Sequence, residues 1–375
     1  GYQDYDTNIE FVDNIVEDAK QDAQAEANKI KEVFGNLKFD VVIGNPPYQQ
    51  EGKGESTRAE PIYNDFVDLS YKLADLVTLI TPGRFLFEAG QTPKAWNRKM
   101  LNDEHVKVIM YEQESSSIFP RTDIKGGIAI TLRDANSDFG KIGIFTSYDI
   151  LNKALKKIIN DDTLVLSNIV SSRGNYRFSE KLFNDHPEVS QKLGKGTGNM
   201  IVSNVFEKLP NIFINDNSED SLRVLGRLNN NRVWRYFSPD YLKDNKYTST
   251  YNVVLPKSNG TGKIGEMLST PIVLGPNEIA TDTFISIGQF ESQDEANSLL
   301  KYIKTKFLRA LLGVKKVTQD NPKSVWITIP MQDFTFNSDI DWNKPISEID
   351  QQLYRKYGLS ADEIEFIETH VQEMK

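Results

Sequence analysis

The chain has 375 residues, 39% apolar and 26% charged, enough for two domains that each bury a core and unlike the composition of disordered or low-complexity polypeptides. It contains no cysteine, which excludes disulfide scaffolds, thiolate metal sites and any reaction through a cysteine nucleophile. The net charge of −9 is unevenly spread: residues 1–35 carry nine Asp or Glu against three Lys, while residues 301–323 carry seven Lys or Arg against Asp320. A basic face is therefore compatible with an acidic total.

The longest apolar runs fall far short of the roughly 20 residues of a membrane span, so no membrane partner is expected. The acidic N-terminus lacks the basic start and apolar stretch of a secretory signal, which gives a cytoplasmic expectation.

In chain order, residues 8–34 predict one amphipathic helix, with Phe11, Ile15, Ala19, Ala23, Ile30 and Phe34 at helical spacing and Gly35 as a stop. Phe39–Ile43 is short, β-branched and almost wholly apolar, which predicts a strand buried on both faces of a parallel sheet. A helix over Ile62–Leu73, a strand over Leu76–Thr81 closed by Pro82-Gly83, a helix near Pro93–Leu101, and strands at Val106–Tyr111 and Ile128–Leu132 follow. This alternation predicts an α/β layer with a parallel or mixed sheet. After a helix at Ile150–Ile159 the alternation stops, and short strands, Asn-rich turns and Gly loops give way to helices at Glu295–Leu312 and Ala361–Met374. The expected organisation is a helical segment over 1–35, a first domain over 36–150 and a second over 151–375.

The sharpest feature is Asn45-Pro46-Pro47-Tyr48, directly after the first strand. Ligands of open α/β sheets bind at the carboxyl ends of strands. Two prolines fix φ, remove two N–H donors and push Asn45 toward an extended conformation. The turn offers carbonyl acceptors, a carboxamide and an aromatic face. The side-chain oxygen of Asn45 and the main-chain carbonyl of Pro46 can each accept one N–H of a planar exocyclic amine, which opposes conjugation of the nitrogen lone pair with its ring. Tyr48 can stack on that ring. A bare Pro-Pro turn that ends a strand is the plainer alternative.

With these residues in view, the sequence resembles the gamma-class adenine-N6 DNA methyltransferases of restriction–modification systems, whose catalytic motif is a strand followed by Asn-Pro-Pro-Tyr. The similarity continues through Pro61-Ile62-Tyr63-Asn64-Asp65-Phe66, Ile80-Thr81-Pro82-Gly83-Arg84-Phe85 and Ile118-Phe119-Pro120 ahead of Gly126-Gly127, and into Thr318-Gln319-Asp320. The resemblance implies a partial Rossmann-like methyltransferase sheet followed by an α+β target-recognition domain. It implies that Asn45, Pro46, Pro47 and Tyr48 hold an adenine flipped out of double-stranded DNA, with Phe119 as a second stacking ring, and that S-adenosylmethionine donates the methyl group. Cytosine-C5 methylation, which needs a Cys nucleophile, is excluded.

The chain departs from that pattern at the cofactor: no acidic strand with a Gly-x-Gly loop precedes Asn45, so it reads as the later part of a longer polypeptide, inactive by itself. Gly194-Lys195-Gly196-Thr197-Gly198-Asn199 follows a polar helix-like stretch instead of a buried strand. Gly260-Thr261-Gly262-Lys263 has Ile264 where a phosphate loop needs Ser or Thr. His105, His186 and His370 have no metal-ligand spacing, and no nuclease motif is evident. DNA contacts are expected from Arg173, Arg177, Arg232, Arg235, Lys257, Asn259, Lys263, Lys315, Lys316 and Gln319, because Arg, Asn and Gln reach base edges and Lys meets phosphate. Two other readings stand beside this one: a DNA-recognition module without catalysis, and a methyltransferase acting on the glutamine amide of a protein.

Overall fold

A computed structural model describes residue 12 and residues 15–36, 39–50, 60–88, 91–124, 126–194, 196–215, 220–260, 262–316 and 319–374, in two units, Gly1–Asn152 and Lys153–Lys375. In the first unit, helix α1 (Ile15–Val33) is not one continuous helix. Asp22 has extended backbone (φ −154°, ψ 96°), and its side chain accepts hydrogen bonds from the N–H groups of Gln24 and Ala25 at 2.9 and 3.0 Å. An Asp that satisfies the free N–H groups of the following turn starts a new helix, which overrides the uninterrupted apolar spacing. Phe11 lies outside the described residues. Ala19, Ala27 and Ile30 pack with Leu69 of helix α2 (Tyr63–Leu73).

Strands β1 (Phe39–Gly44), β4 (Ala74–Pro82), β5 (Val106–Glu112) and β6 (Ile128–Asp134) form a sheet in the order β1-β4-β6-β5, while β2 (Gln49–Gln50) and β3 (Glu60–Pro61) form a short antiparallel ladder. Helix α3 (Lys94–Asn102) precedes β5, and α4 (Asp149–Ile158) follows the sheet. β1 runs parallel to β4, whereas β6 is antiparallel to both β4 and β5, so the sheet is mixed. The expectation of a strand buried on both faces fails at β1. Among the described residues it is an edge strand paired with β4 alone, and Val41 and Ile43 are 41% and 79% exposed. A central strand would have shown two covered faces; an edge strand with one open face does not.

β1, β4 and β5 point the same way, so the segments that follow them, and the one that precedes β6, leave one edge of the sheet. That edge is pinned by a close crossing of two turns. The N–H of Gly83 donates to the carbonyl of Gly127 at 2.8 Å, and the Tyr111 hydroxyl donates to the Gly126 carbonyl at 3.3 Å. A Cβ on Gly83 would lie 2.7 Å from the Tyr111 ring, and one on Gly127, at φ +69°, would strike the Glu112 carbonyl oxygen. Phe87, Tyr111 and Phe145 close the core beneath in edge-to-face contacts of 5.4–5.5 Å.

The second unit is α+β. Short helices α5 (Glu180–Asp185), α6 (Val189–Leu193) and α7 (Val205–Lys208) precede a sheet of β7 (Leu222–Leu228), β8 (Asn231–Phe237) and β11 (Glu278–Ala280). A second sheet joins β9 (Tyr251–Pro256), β10 (Ile272–Leu274) and β12 (Phe284–Phe290). Val224, Leu225, Phe237, Val254, Leu274 and Phe284, drawn from both sheets, share one core. Helices α8 (Gln293–Lys304), α9 (Lys306–Lys315), α10 (Ile346–Lys356) and α11 (Ala361–His370) pack against one another, and α11 ends before the residue expected, at His370. No helix among the described residues is long and apolar enough to cross a membrane.

Asp350 is buried where α9 begins and accepts from the N–H groups of Lys306 and Phe307 at 3.1 and 2.9 Å. Burial dominates and raises its pKa to about 6, the two N–H groups opposing. Because this lies above an unfolded value of about 4, the stability held by the neutral acid is fully present below pH 4 and is lost as pH rises through 6. Asp350→Asn should flatten the fall in unfolding free energy between pH 4 and 6, measured by urea titration against the parent chain. Gly127→Ala should destabilise the first unit by roughly 2 kcal/mol or more, from strain at positive φ and the collision with Glu112, read from the same titrations.

Candidate functional site

Asn45–Tyr48 leaves the sheet where β1 ends, with Gly44 opposite Leu79 of β4. The segment is held from both sides. Upstream stands the β1–β4 ladder; downstream the Tyr48 carbonyl accepts the Ile62 N–H at 3.2 Å, and Gln49 and Gln50 pair with Pro61 and Glu60. Two prolines between these anchors leave the chain little freedom. Asn45 and Pro47 are exposed and Pro46 is half-buried, so the carboxamide faces solvent.

Tyr48 is half-buried and packs against the first unit's core, with Tyr63 and Val67 in the same cluster. Its hydroxyl oxygen is buried without a hydrogen-bond partner among the described residues, and burial raises its pKa above the ordinary phenol value. Tyr63 bonds Thr92 at 2.7 Å, and the Arg84 guanidinium carbon lies 5.8 Å from the Tyr63 ring centroid, so both motif segments downstream of the turn pack at this edge of the sheet.

Phe119 follows a 3-10 turn (Ser115–Ser117) in the segment between β5 and β6, on the same edge as Asn45. Its N–H donates to Ser115 at 2.8 Å and its ring is half-buried. With strands about 4.8 Å apart, β6 lies roughly 10 Å from β1. The segment that carries Phe119 therefore meets the same edge of the sheet as Asn45, two strands away.

Among the described residues of the first unit, the glycine turns that follow β4 and precede β6 leave no open cradle. The Gly83 and Gly126–Gly127 turns are filled by each other and by Tyr111. The Gly194–Asn199 loop belongs to the second unit and follows the five-residue helix α6, with no strand before it.

In the second unit the expected DNA-facing residues divide. Arg173 and Lys257 meet at Asp282, whose carboxylate lies 3.4 Å from the Arg173 Nε and 3.1 Å from the Lys257 ammonium and also accepts the Gly174 N–H at 3.0 Å. Lys257 and Arg232 line a cavity of about 420 Å³. Arg177 is exposed near Gly198, Lys263 is exposed beside Glu266, and Gln319 is exposed while its main-chain carbonyl accepts from Asn259. Lys315 is half-buried.

Other members of that set are turned inward. Lys316 is 2% exposed, with its ammonium held by Glu266 and the Asn259 carbonyl. The Asn259 carboxamide is spent on Ser269 and Met267. Arg235 donates to the carbonyl of its neighbour Trp234, with its guanidinium 5.9 Å from the Phe206 ring. Of the seven cations over 301–323, four are engaged within the fold: besides Lys316, Arg309 is 2% exposed and donates to Gln372, Lys306 pairs with Glu368 at 2.6 Å, and Lys301 donates to the carbonyls of Trp342 and Lys344, while Lys323 is exposed. Helix packing uses those four charges.

Arg227 and Asn230, which sequence reasoning passed over, line the same cavity as Arg232 and Lys257. The available signal was the Asn229-Asn230 pair between two alternating strands, the mark of a tight hairpin.

Residues 1–119 match the family described as Eco57I restriction-modification methylase. The chain is 34% identical over 133 residues to a protein of Mycoplasma pneumoniae (strain ATCC 29342 / M129 / Subtype 1) named "Uncharacterized adenine-specific methylase". That stretch covers 34% of this chain and 31% of the relative, so the chain spans about a third of the curated relative's length. Among solved structures, the type IIG restriction endonuclease BpuSI aligns at 11% identity over 96% of this chain and 52% of that one, with a TM-score of 0.29. The type IIL restriction-modification enzyme MmeI, in complex with DNA, aligns at 8% identity over 91% and 58%, with a TM-score of 0.34. The stretch similar to restriction-modification methylases contains the whole Asn45–Tyr48 turn and ends at Phe119.

Proposed function

We propose that the chain carries the amine-binding part of an adenine-N6 DNA methyltransferase of a restriction–modification system, together with a region that contacts DNA. The observation that carries this reading is the solvent-facing Asn45–Tyr48 turn at the carboxyl end of β1, within residues similar to a restriction-modification methylase family. The Asn45 side-chain oxygen and the Pro46 carbonyl accept the two N–H bonds of the adenine amino group. Holding both protons by fixed acceptors keeps the nitrogen lone pair directed out of the ring plane, toward an incoming methyl group. Tyr48 stacks on the base, and Phe119 supplies the opposite ring. The base leaves the duplex at a cost of a few kcal/mol, offset by stacking and by these hydrogen bonds.

S-adenosylmethionine is the methyl source this reading implies; it would supply the electrophilic methyl group. A second reading, DNA recognition without catalysis, draws on one observation: the phenol of Tyr48 is partly committed to the core, as a purely structural residue would be.

In the full-length protein, Asn45→Ala should lower methyl transfer to adenine in duplex DNA on the order of 100-fold while DNA binding persists. Filter-binding and transfer of labelled methyl measure the two separately; unimpaired transfer would remove Asn45 from the reaction. Tyr48→Phe should keep transfer within a fewfold and raise stability by up to about 1 kcal/mol, because it deletes a buried hydroxyl without a partner among the described residues. Tyr48→Ala should lose both. Urea titration and the same transfer assay distinguish the two variants.

A further inference from the structure

Strands β7 and β8 are joined by Asn229-Asn230, both at positive φ (49° and 64°), the two-residue turn that matches strand twist and fixes register. That register sets Arg227 directly opposite Arg232. Cross-strand partners project from the same face, and like charges in that position destabilise a sheet. Both side chains line the 420 Å³ cavity, with Lys257 across it.

The pair is not neutralised by its surroundings. Arg227 donates to the side-chain oxygen of Asn230 at 2.6 Å, and Arg232 donates to the Thr270 carbonyl at 2.7 Å with its guanidinium 5.7 Å from the Phe284 ring. These are neutral acceptors, and each guanidinium has five N–H donors. The cavity's carboxylates are Asp282 and Asp320. Asp282 already serves Lys257, Arg173 and the Gly174 N–H. Neither carboxylate pairs with Arg227 or Arg232 among the described residues. Partial desolvation also lowers the pKa of Arg232 from its ordinary value, the direction expected of a cation that lacks a counter-charge.

We propose that the Arg227–Arg232 pair at the tip of the β7–β8 hairpin binds one phosphodiester group of the DNA backbone, with Asn230 and Lys257 at the rim of the same cavity. This rests on the DNA reading given above. Forked guanidinium donors on a rigid ribbon suit tetrahedral phosphate oxygens, and an anion between the two cations removes their mutual repulsion. The contact positions the duplex and reads no base.

The test uses the intact chain, the R227Q/R232Q double variant and an R227Q single variant. Duplex binding is followed against salt, and thermal melting is followed in chloride and in inorganic phosphate at equal ionic strength. The parent chain should melt higher in phosphate than in chloride. R227Q should melt at or above the parent in chloride and should lose the phosphate response. The double variant should bind duplex roughly tenfold more weakly, with the slope of log affinity against log salt reduced by about 1, as expected for one phosphate. Unchanged affinity and slope in the double variant would overturn the proposal. A phosphate response that the double variant abolishes without any change in duplex binding would assign the site to free phosphate and overturn the backbone contact. A parent chain that binds no duplex at low salt refutes the DNA reading itself, and a phosphate response retained by the double variant refutes the anion site independently.

Discussion

The parallel pairing of β1 with β4, Gly44 against Leu79, decides where the chemistry of the first unit can stand. A strand that ends in register with its neighbour delivers the next four residues to a fixed place on the sheet edge. Two prolines then remove most of the backbone freedom that would blur that place. The Tyr48 carbonyl, bonded to the Ile62 N–H, closes the turn from the other side. The glycine crossing of Gly83 and Gly127 holds the adjacent loops to the same edge, since neither position has room for a Cβ. The candidate site is thus positioned mainly by backbone hydrogen bonds and steric exclusion, with few side-chain contacts of its own.

Charge behaves differently in the two regions where it seemed informative. Seven cations over 301–323 suggest a nucleic-acid face when counted along the chain. In the fold, Lys306, Arg309 and Lys316 are consumed by Glu368, the Gln372 carbonyl and Glu266, so part of the run organises helices. Arg227 and Arg232, five residues apart and unremarkable in a count, become adjacent because a two-residue turn folds one strand onto the next. Local excess of charge is a poor guide to exposed charge. What matters is whether a carboxylate or a helix-end carbonyl lies within reach.

The elements of the first unit were legible because its strands are short apolar runs bounded by Pro and Gly: Leu76–Thr81 extends only to Ala74–Pro82, and Val106–Tyr111 only to Glu112. The burial of β1 was not legible. A run such as Phe39–Ile43 has the same composition whether a second layer covers both faces or only one, and edge position is a property of pairing, not of the strand. The break at Asp22 was missed because apolar spacing continues across it, while the capping side chain acts locally. The start of α11 was readable, since Ser360 and Glu363 form a reciprocal cap at a spacing visible in the sequence. The turn Asn45–Tyr48 was legible as a motif, but the commitment of Tyr48 to the core was not: that depends on α2 and β4 arriving beneath it.

The exposure of the turn bears on how it can act. A hydrogen bond made in water contributes only about 1 kcal/mol net, because the acceptors on Asn45 and Pro46 are already solvated. The same bonds strengthen several-fold once water is excluded. Ile43 stands 79% exposed two residues before Asn45, so this end of β1 is open to solvent. In the proposed reading the flipped base supplies the missing cover itself: stacked on the half-buried face of Tyr48, a purine shields the two acceptors as it bonds them. Binding and activation of the amine are then one event. The turn need hold only its geometry beforehand, which is what two prolines between two anchored strands provide.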